Sequence, residues 1–282
     1  MSTASMSSSK PIVSAEWVYA QLKDPDVILL DASVESTVGG KTSVHHNTTI
    51  PLARAFDLKS VFVDTESEFP NTVPRPERFE AACQALGINQ HSKLVIFDNL
   101  GVYSSARAWW LFQVMGHENV VVLDGGLPQW IASGYPTEAR LISFYERGNF
   151  KASYQEELCV LFPQVQENSQ QPKFMVVDAR SEGRFKGISE EPRKNLQSGH
   201  IPHSVNLPYQ QVLENGRFKD KEALQELFSE CCGEEQDLVF SCGSGMTACI
   251  IMLAHQVAGG VSKKVYDGSW TEWASLRGLT ND

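Results

Sequence analysis

One succession of local signals runs through this chain twice, and a repeat of that length dictates two copies of one architecture before any single residue is interpreted. Val27-Ile28-Leu29-Leu30-Asp31 is matched by Met175-Val176-Val177-Asp178, each a short apolar run closed by an aspartate. Ile50-Pro51 is matched by Ile201-Pro202, and Leu94-Val95-Ile96-Phe97-Asp98 by Leu238-Val239-Phe240-Ser241-Cys242. Leu123-Asp124-Gly125-Gly126 with Trp130 returns as Tyr266-Asp267-Gly268-Ser269 with Trp273. The offsets between paired residues are 147, 151, 144 and 143, so only small insertions and deletions separate the copies. Apolar runs without alternation read as strands covered on both faces, the condition of a parallel sheet. Helical patterns at residues 76–86 and 221–228 each precede a strand of their half. The alternation predicts an α/β fold, with a mainly parallel sheet flanked by helices in each of two tandem domains.

A length of 282 residues suits two domains of the commonest size. The Ser-rich opening has neither the apolar core of a secretory signal nor the arginines of a mitochondrial presequence, so residues 1–10 are expected to be a disordered tail. Residues 11–140 form the first copy and 173–282 the second. Between them, 141–172 carries Arg147-Gly148-Asn149, Pro163 and a polar run over 166–171, the pattern of a linker and the start of the second domain. The 24 basic against 34 acidic residues give a net charge of −10, which argues against nucleic acid or an anionic membrane surface as partner. No stretch approaches the roughly 18–20 apolar residues of a membrane span. Six cysteines without a CxxC pair, and no histidine at zinc-ligand spacing, read as reduced thiols with no metal indicated. The default compartment is the cytoplasm, with a mitochondrial form left open.

Duplicated domains divide labour, so a position equivalent by repeat but different in chemistry is where activity is sought. That position is Asp98 against Cys242. Cys242 follows a strand directly and opens SCGSGMTACIIMLAHQ, where Gly243 and Gly245 allow tight turning and an apolar helix begins near Thr247. Backbone N–H groups at such a strand-to-helix turn converge on an anion, and with the helix dipole they favour thiolate over thiol. The competing reading is an inert buried cysteine, the commoner fate of a lone one. Glycines on both sides of Ser244 have no packing purpose at an ordinary strand end.

On these residues the chain resembles the tandem rhodanese-type sulfurtransferases from about Ile12 to Leu279, with an inactive first copy and an active second one. The loop from Cys242 to Ala248, CGSGMTA, is similar to the CGSGVTA loop of the mercaptopyruvate-using members, with Met246 a mild substitution. Further matches are Asp178-Ala179-Arg180, Gly199-His200-Ile201-Pro202, Val73-Pro74-Arg75-Pro76 and the stretch Tyr103 to Trp110. Thiosulfate-using members resemble CRKGVTA, whose two cations suit a dianion; Gly243 and Ser244 make this loop neutral and point to 3-mercaptopyruvate. The resemblance assigns the donor carboxylate to Arg184 and Arg193, held bidentately by planar guanidinium groups, and places Tyr103 and Arg107 near the substrate.

The resemblance implies attack of Cys242 on the donor sulfur, a persulfide on Cys242, release of pyruvate, and removal of the outer sulfur by a thiol acceptor such as thioredoxin. No cofactor is implied. Ser244 is expected to pass a proton or donate a hydrogen bond to the substrate carbonyl, and Thr247 to steady the loop; the plainer alternative is that both only close local turns. A thiosulfate donor is the runner-up, followed by a silent sulfur-relay or scaffold protein. A cysteine phosphatase would need an arginine where Ala248 stands.

Two departures from the family pattern concern turns. Where first copies carry His-Ile-Pro-Gly, this chain has Thr49-Ile50-Pro51-Leu52, with His45 and His46 nearby in a loop. In the second copy His203 takes the place of the glycine, and a positive φ there would force an adjustment. Elsewhere, Cys83 and Cys249 read as core, Cys231 and Cys232 as part of a polar connection over 229–236, His200 as a turn-ordering hydrogen-bonding residue, and Trp130, Trp270 and Trp273 as packing aromatics.

Overall fold

The computed structural model describes residues 10–141, 143–233 and 237–281. Residues 1–9, and with them nearly all of the expected tail, lie outside that range. In the first half the strands are β1 (Ile12–Val13), β2 (Val27–Asp31), β3 (Arg54–Ala55), β4 (Lys93–Phe97) and β5 (Val120–Leu123). In the second half they are β6 (Cys159–Val160), β7 (Met175–Asp178), β8 (Ser204–Asn206), β9 (Leu238–Ser241) and β10 (Lys264–Tyr266). The first sheet has the order β1-β5-β4-β2-β3 and the second β6-β10-β9-β7-β8, with every neighbouring pair parallel. The repeat read from the sequence is thus a repeat of topology, strand for strand.

The helices are α1 (Ala15–Gln21), α2 (Pro76–Ala85), α3 (Ser105–Val114), α4 (Gly126–Ala132), α5 (Phe162–Asn168), α6 (Glu182–Phe185), α7 (Lys221–Cys232), α8 (Ala248–Ala258) and α9 (Ser269–Leu276). Proline at the first turn starts α2, and the Asp220 carboxylate caps α7 by accepting from Ala223 N at 2.8 Å. Helix α7 runs through Cys231 and Cys232, so these cysteines are not in a polar connection: Cys232 turns into the core and Gly233 ends the helix at φ 72°.

Each half keeps its own apolar layer on the outer face of its sheet: Val18, Leu29 and Trp130 on one side, Val176, Trp270 and Trp273 on the other. Between the sheets lies a single core to which both halves contribute, joining Ile28, Trp110 and Phe112 to Val177, Phe240 and Leu253. Helices α3 and α8 meet there. All ten residues of α3 and eight of the eleven in α8 are buried, so both helices are packed on nearly every side, and the polar residues of α3 need partners inside the core. The connecting segment is pinned to the first half by Phe150 N on Ile88 O (3.1 Å) and Ser153 N on Met115 O (2.9 Å), and Phe150 is fully buried.

Polar contacts frame the shared core symmetrically. Asp124 and Asp267 are repeat equivalents, and each pairs with an arginine of the other half, Asp124 with Arg217 at 3.1 Å and Asp267 with Arg107 at 2.7 Å. Each also accepts a backbone N–H from across the interface, from Phe218 at 2.9 Å and from Val73 at 2.8 Å. The two turns that depart from the family pattern do not adjust: Leu52 and His203 themselves adopt φ 66° and 60°. Left-handed backbone costs a residue with a Cβ about 1–2 kcal/mol.

Candidate active site

Cys242 is placed by the end of β9 and is 2% exposed. The six residues after it turn the backbone so that its carbonyls face away from the opening and are bonded behind it. Gly243 O accepts from Thr271 N (2.9 Å) and Thr271 Oγ1 (2.6 Å), and Gly245 O accepts from Arg107 Nη1 (3.3 Å) and Cys249 Sγ (3.2 Å). Ser269 Oγ accepts two N–H groups of the loop, those of Cys242 and Gly245, each at 3.1 Å. The N–H groups of Gly243, Ser244, Met246, Thr247 and Ala248 donate to no protein acceptor among the described residues. Five free donors at the N-terminus of α8 form an anion-binding nest.

The first half carries the corresponding loop, one residue longer, with backbone donors already taken up by a side chain. Asp98, the repeat equivalent of Cys242, is fully buried, and its carboxylate accepts from Leu100 N at 2.8 Å, Tyr103 N at 2.7 Å, Ser105 N at 2.9 Å and Ser105 Oγ at 2.6 Å. A thiol in place of that carboxylate leaves the donors free.

A cleft of about 250 Å³ opens on Cys242. Gly243, Ser244, Met246 and Thr247 line its floor, Arg184 and Arg193 one wall, and Tyr103 with Thr37, Val38 and Gly39 the side given by the first half. Arg184 on α6 is held by Glu191 through Nε–Oε1 at 3.1 Å and Nη2–Oε2 at 2.6 Å. Glu191 in turn accepts from Arg180 Nη1 at 2.8 Å, and Arg180, buried against Trp270, pairs with Asp178 at 2.7 Å. Arg193 has no carboxylate partner among the described residues; burial lowers its pKa and the charge of Cys242 opposes that. Three guanidinium charges against two carboxylates leave one net positive charge on this wall. Both arginines bear on Gly243, where an added Cβ would lie 3.0 Å from Arg184 Nη2 and 3.9 Å from Arg193 Nη1. Burial pushes the Tyr103 phenol up to about 12, with the nearby Cys242 charge adding to it and a bond to the Val38 backbone opposing it, so at neutral pH Tyr103 is an uncharged donor.

Most residues singled out from sequence therefore meet in one cleft. Two do not. Gly245 faces away, its φ of 76° and its approach to Asp267 O leaving no room for a side chain. Arg107, expected near the substrate, is 1% exposed behind the loop, bonded to Asp267, to Asn71 O and to Gly245 O, and stacked on Trp110. Its position on the all-buried α3 turns it into the shared core instead of the cleft. Thr49, at the family's histidine position, donates to Asp31 at 2.7 Å. It lines a separate cavity of about 700 Å³ on the first half, which holds none of the loop residues and no cysteine.

Sequence reasoning missed Asn71, Glu191, Asp267 and Ser269. Asn71 Nδ2 donates to both Ser244 O and Ser244 Oγ at 3.0 Å. For Asp267 and Ser269 the signal was present, since Tyr266-Asp267-Gly268-Ser269 is one of the repeated stretches. Asn71 lies outside every repeated stretch.

Comparison with known proteins follows the same outline. Residues 14–133 and 162–276 each match the rhodanese-like domain. The chain is 37% identical to the mitochondrial thiosulfate/3-mercaptopyruvate sulfurtransferase 1 of Arabidopsis thaliana over 97% of its own length and 78% of that protein. It is 36% identical to the 3-mercaptopyruvate sulfurtransferase of Mus musculus, over 94% and 92% of the two chains. Among solved structures, SseA from Escherichia coli superposes with a TM-score of 0.82 at 30% identity, covering 93% of this chain and 99% of that one. Two rhodanese-like domains, one cysteine nest left open and relatives matched over 78–99% of their length make this chain a sulfurtransferase of the rhodanese-like family.

Proposed function

We propose that the chain transfers sulfur from 3-mercaptopyruvate to a thiol acceptor through a persulfide on Cys242, with 173–282 as the catalytic copy and 11–140 as a catalytically silent one. The observation that carries this reading is the pair of nests: Asp98 fills one with its own carboxylate, while Cys242 leaves the other open beside Arg184 and Arg193.

In the first step Cys242 Sγ, as thiolate, attacks the donor's sulfur. The Sγ–S bond forms, the C3–S bond breaks, and its electron pair passes into the pyruvate enolate, which takes a proton at C3. Arg193, with the outward edge of Arg184, holds the carboxylate. The free N–H groups of Gly243, Ser244, Met246, Thr247 and Ala248 hold the persulfide, and Ser244 donates to the carbonyl oxygen as charge develops there. Tyr103 closes the cleft from the first half. In the second step an acceptor thiolate, from a dithiol protein of the thioredoxin kind or a small thiol, attacks the outer sulfur and restores the Cys242 thiolate.

The single net positive charge on the arginine wall matches one carboxylate and not a dianion, which favours mercaptopyruvate over thiosulfate. Mass spectrometry of the protein after separate exposure to the two donors tests this: one added sulfur on Cys242 from mercaptopyruvate supports it. Loading from thiosulfate alone reverses the donor assignment, and no loading from either makes the chain a silent relay.

A further inference from the structure

We infer that Asn71, contributed by the first half, is a positioning residue for the reaction: its side-chain amide fixes the Ser244 hydroxyl as a hydrogen-bond donor to the substrate carbonyl. The inference rests on the proposed mercaptopyruvate reaction.

A serine hydroxyl can donate or accept, and its surroundings choose between the two. Asn71 Nδ2 lies 3.0 Å from both Ser244 O and Ser244 Oγ. A backbone carbonyl only accepts, so the amide must present its NH2 group to Ser244, and that settles its orientation. Ser244 Oγ is then an acceptor toward Asn71, and its own proton is left over. No protein acceptor takes that proton among the described residues, and Ser244 faces the cleft. The proton is therefore directed at the oxygen that gains charge as the C3–S bond breaks. An amide takes up no proton at working pH, so Ser244 acts as a fixed donor and has no base behind it. Thr49, bonded to Asp31 in the other cavity, does not reach it.

The backbone around Asn71 is built for this contact. Asn71 has φ 63°, a conformation asparagine tolerates better than most residues, and its carbonyl is held by Arg107 Nη2. Two residues on, Val73 N binds Asp267. The mirrored segment in the second half puts Phe218 N on Asp124, and two residues before it stands Gly216, at φ 78° with no side chain. At the equivalent position, two residues before the bonded N–H, only the segment reaching the open nest carries an amide.

The test measures single-turnover loading of Cys242 from 3-mercaptopyruvate in wild type, Asn71→Gly, Ser244→Ala and the double variant. Glycine accepts the positive φ, so Asn71→Gly removes the amide and spares the turn. Each single variant is expected to load about tenfold more slowly, the effect of one hydrogen bond to a developing charge. The double variant should load no more slowly than Ser244→Ala, because the amide acts through that hydroxyl. Alkylation of Cys242 by iodoacetamide, which needs no carbonyl donor, should proceed at the wild-type rate in Asn71→Gly. Asn71→Asp should load slowly at neutral pH, its carboxylate capturing the Ser244 proton, and recover as acid protonates the carboxyl; wild type lacks that limb. Additive penalties in the double variant, wild-type loading by Asn71→Gly, or a parallel fall in alkylation would each overturn the inference while leaving the persulfide reaction standing. No sulfur on wild-type Cys242 would overturn the reaction itself, and the inference with it.

Discussion

At Cys242 the two halves diverge by one side chain, and the comparison with Asp98 gives that position a double test. Cys242→Ser should abolish sulfur loading. Cys242→Asp should also abolish it, yet hold or raise the melting temperature, because the carboxylate would take the free loop N–H groups as Asp98 takes those of Leu100, Tyr103 and Ser105. A clear loss of stability in a thermal melt would contradict the nest geometry. The two arginines should separate in a similar way. Arg193→Ala removes a cation with no carboxylate partner among the described residues, so it should cost roughly 10–100-fold in kcat/KM for mercaptopyruvate with stability within about 0.5 kcal/mol of wild type. Arg184→Ala strips one of two guanidinium groups from the buried Glu191 and should lower stability as well, by about 1–3 kcal/mol in denaturant unfolding. At His203 the positive φ is borne by a residue with a Cβ. His203→Gly should relieve that strain and raise stability by about 0.5–1 kcal/mol, less than the strain itself because glycine gains freedom in the unfolded chain.

The strand β9, the loop and α8 act together as one element, and its carbonyls matter as much as its donors. Each carbonyl of the loop from Cys242 to Gly245 is bonded from behind, by Trp270, Thr271, Asn71 and Arg107. That arrangement keeps the N–H groups turned to the cleft. Gly243 is the point where the arginine wall meets this element, and a Cβ there would lie 3.0 Å from the end of the Arg184 guanidinium, which would have to shift. Gly243→Arg, which copies one cation of the thiosulfate-type loop, should therefore not convert the donor preference. It would set a third guanidinium against Arg184 and Arg193, and activity with both donors should fall at least about tenfold. A gain of thiosulfate turnover would show that the wall yields. The strand, loop and helix could be read from sequence because an apolar run, two glycines and a second apolar run occupy consecutive positions. Ser269, whose hydroxyl braces the loop, was visible only as part of a repeated stretch, since a serine before a helix has many local uses.

For the whole molecule, the shared core between α3 and α8 ties catalysis to the joining of the halves. Arg107 is the clearest case. Its nearness to the loop could be read from sequence, but not the side it approaches from: α3 is buried all round, so its arginine meets Asp267 across the interface instead of the substrate. Arg107→Ala leaves the Asp267 charge buried, with Val73 N as its remaining partner, and should destabilise the protein by about 3–5 kcal/mol. Calorimetry should show one unfolding transition in wild type, because neither half buries α3 or α8 alone; two separated transitions would contradict a common core.

The amino-acid sequence alone determined the repeat, the parallel α/β architecture and the position where the copies part, because each is written in residues adjacent along the chain. Tertiary structure alone decided what meets that position from afar. Asn71 reaches Ser244 across 173 residues, Arg107 reaches Asp267 across 160, and Glu191 gathers Arg180 and Arg184. Local periodicity carries no record of such contacts; they exist only once two sheets of the same topology have closed on one core.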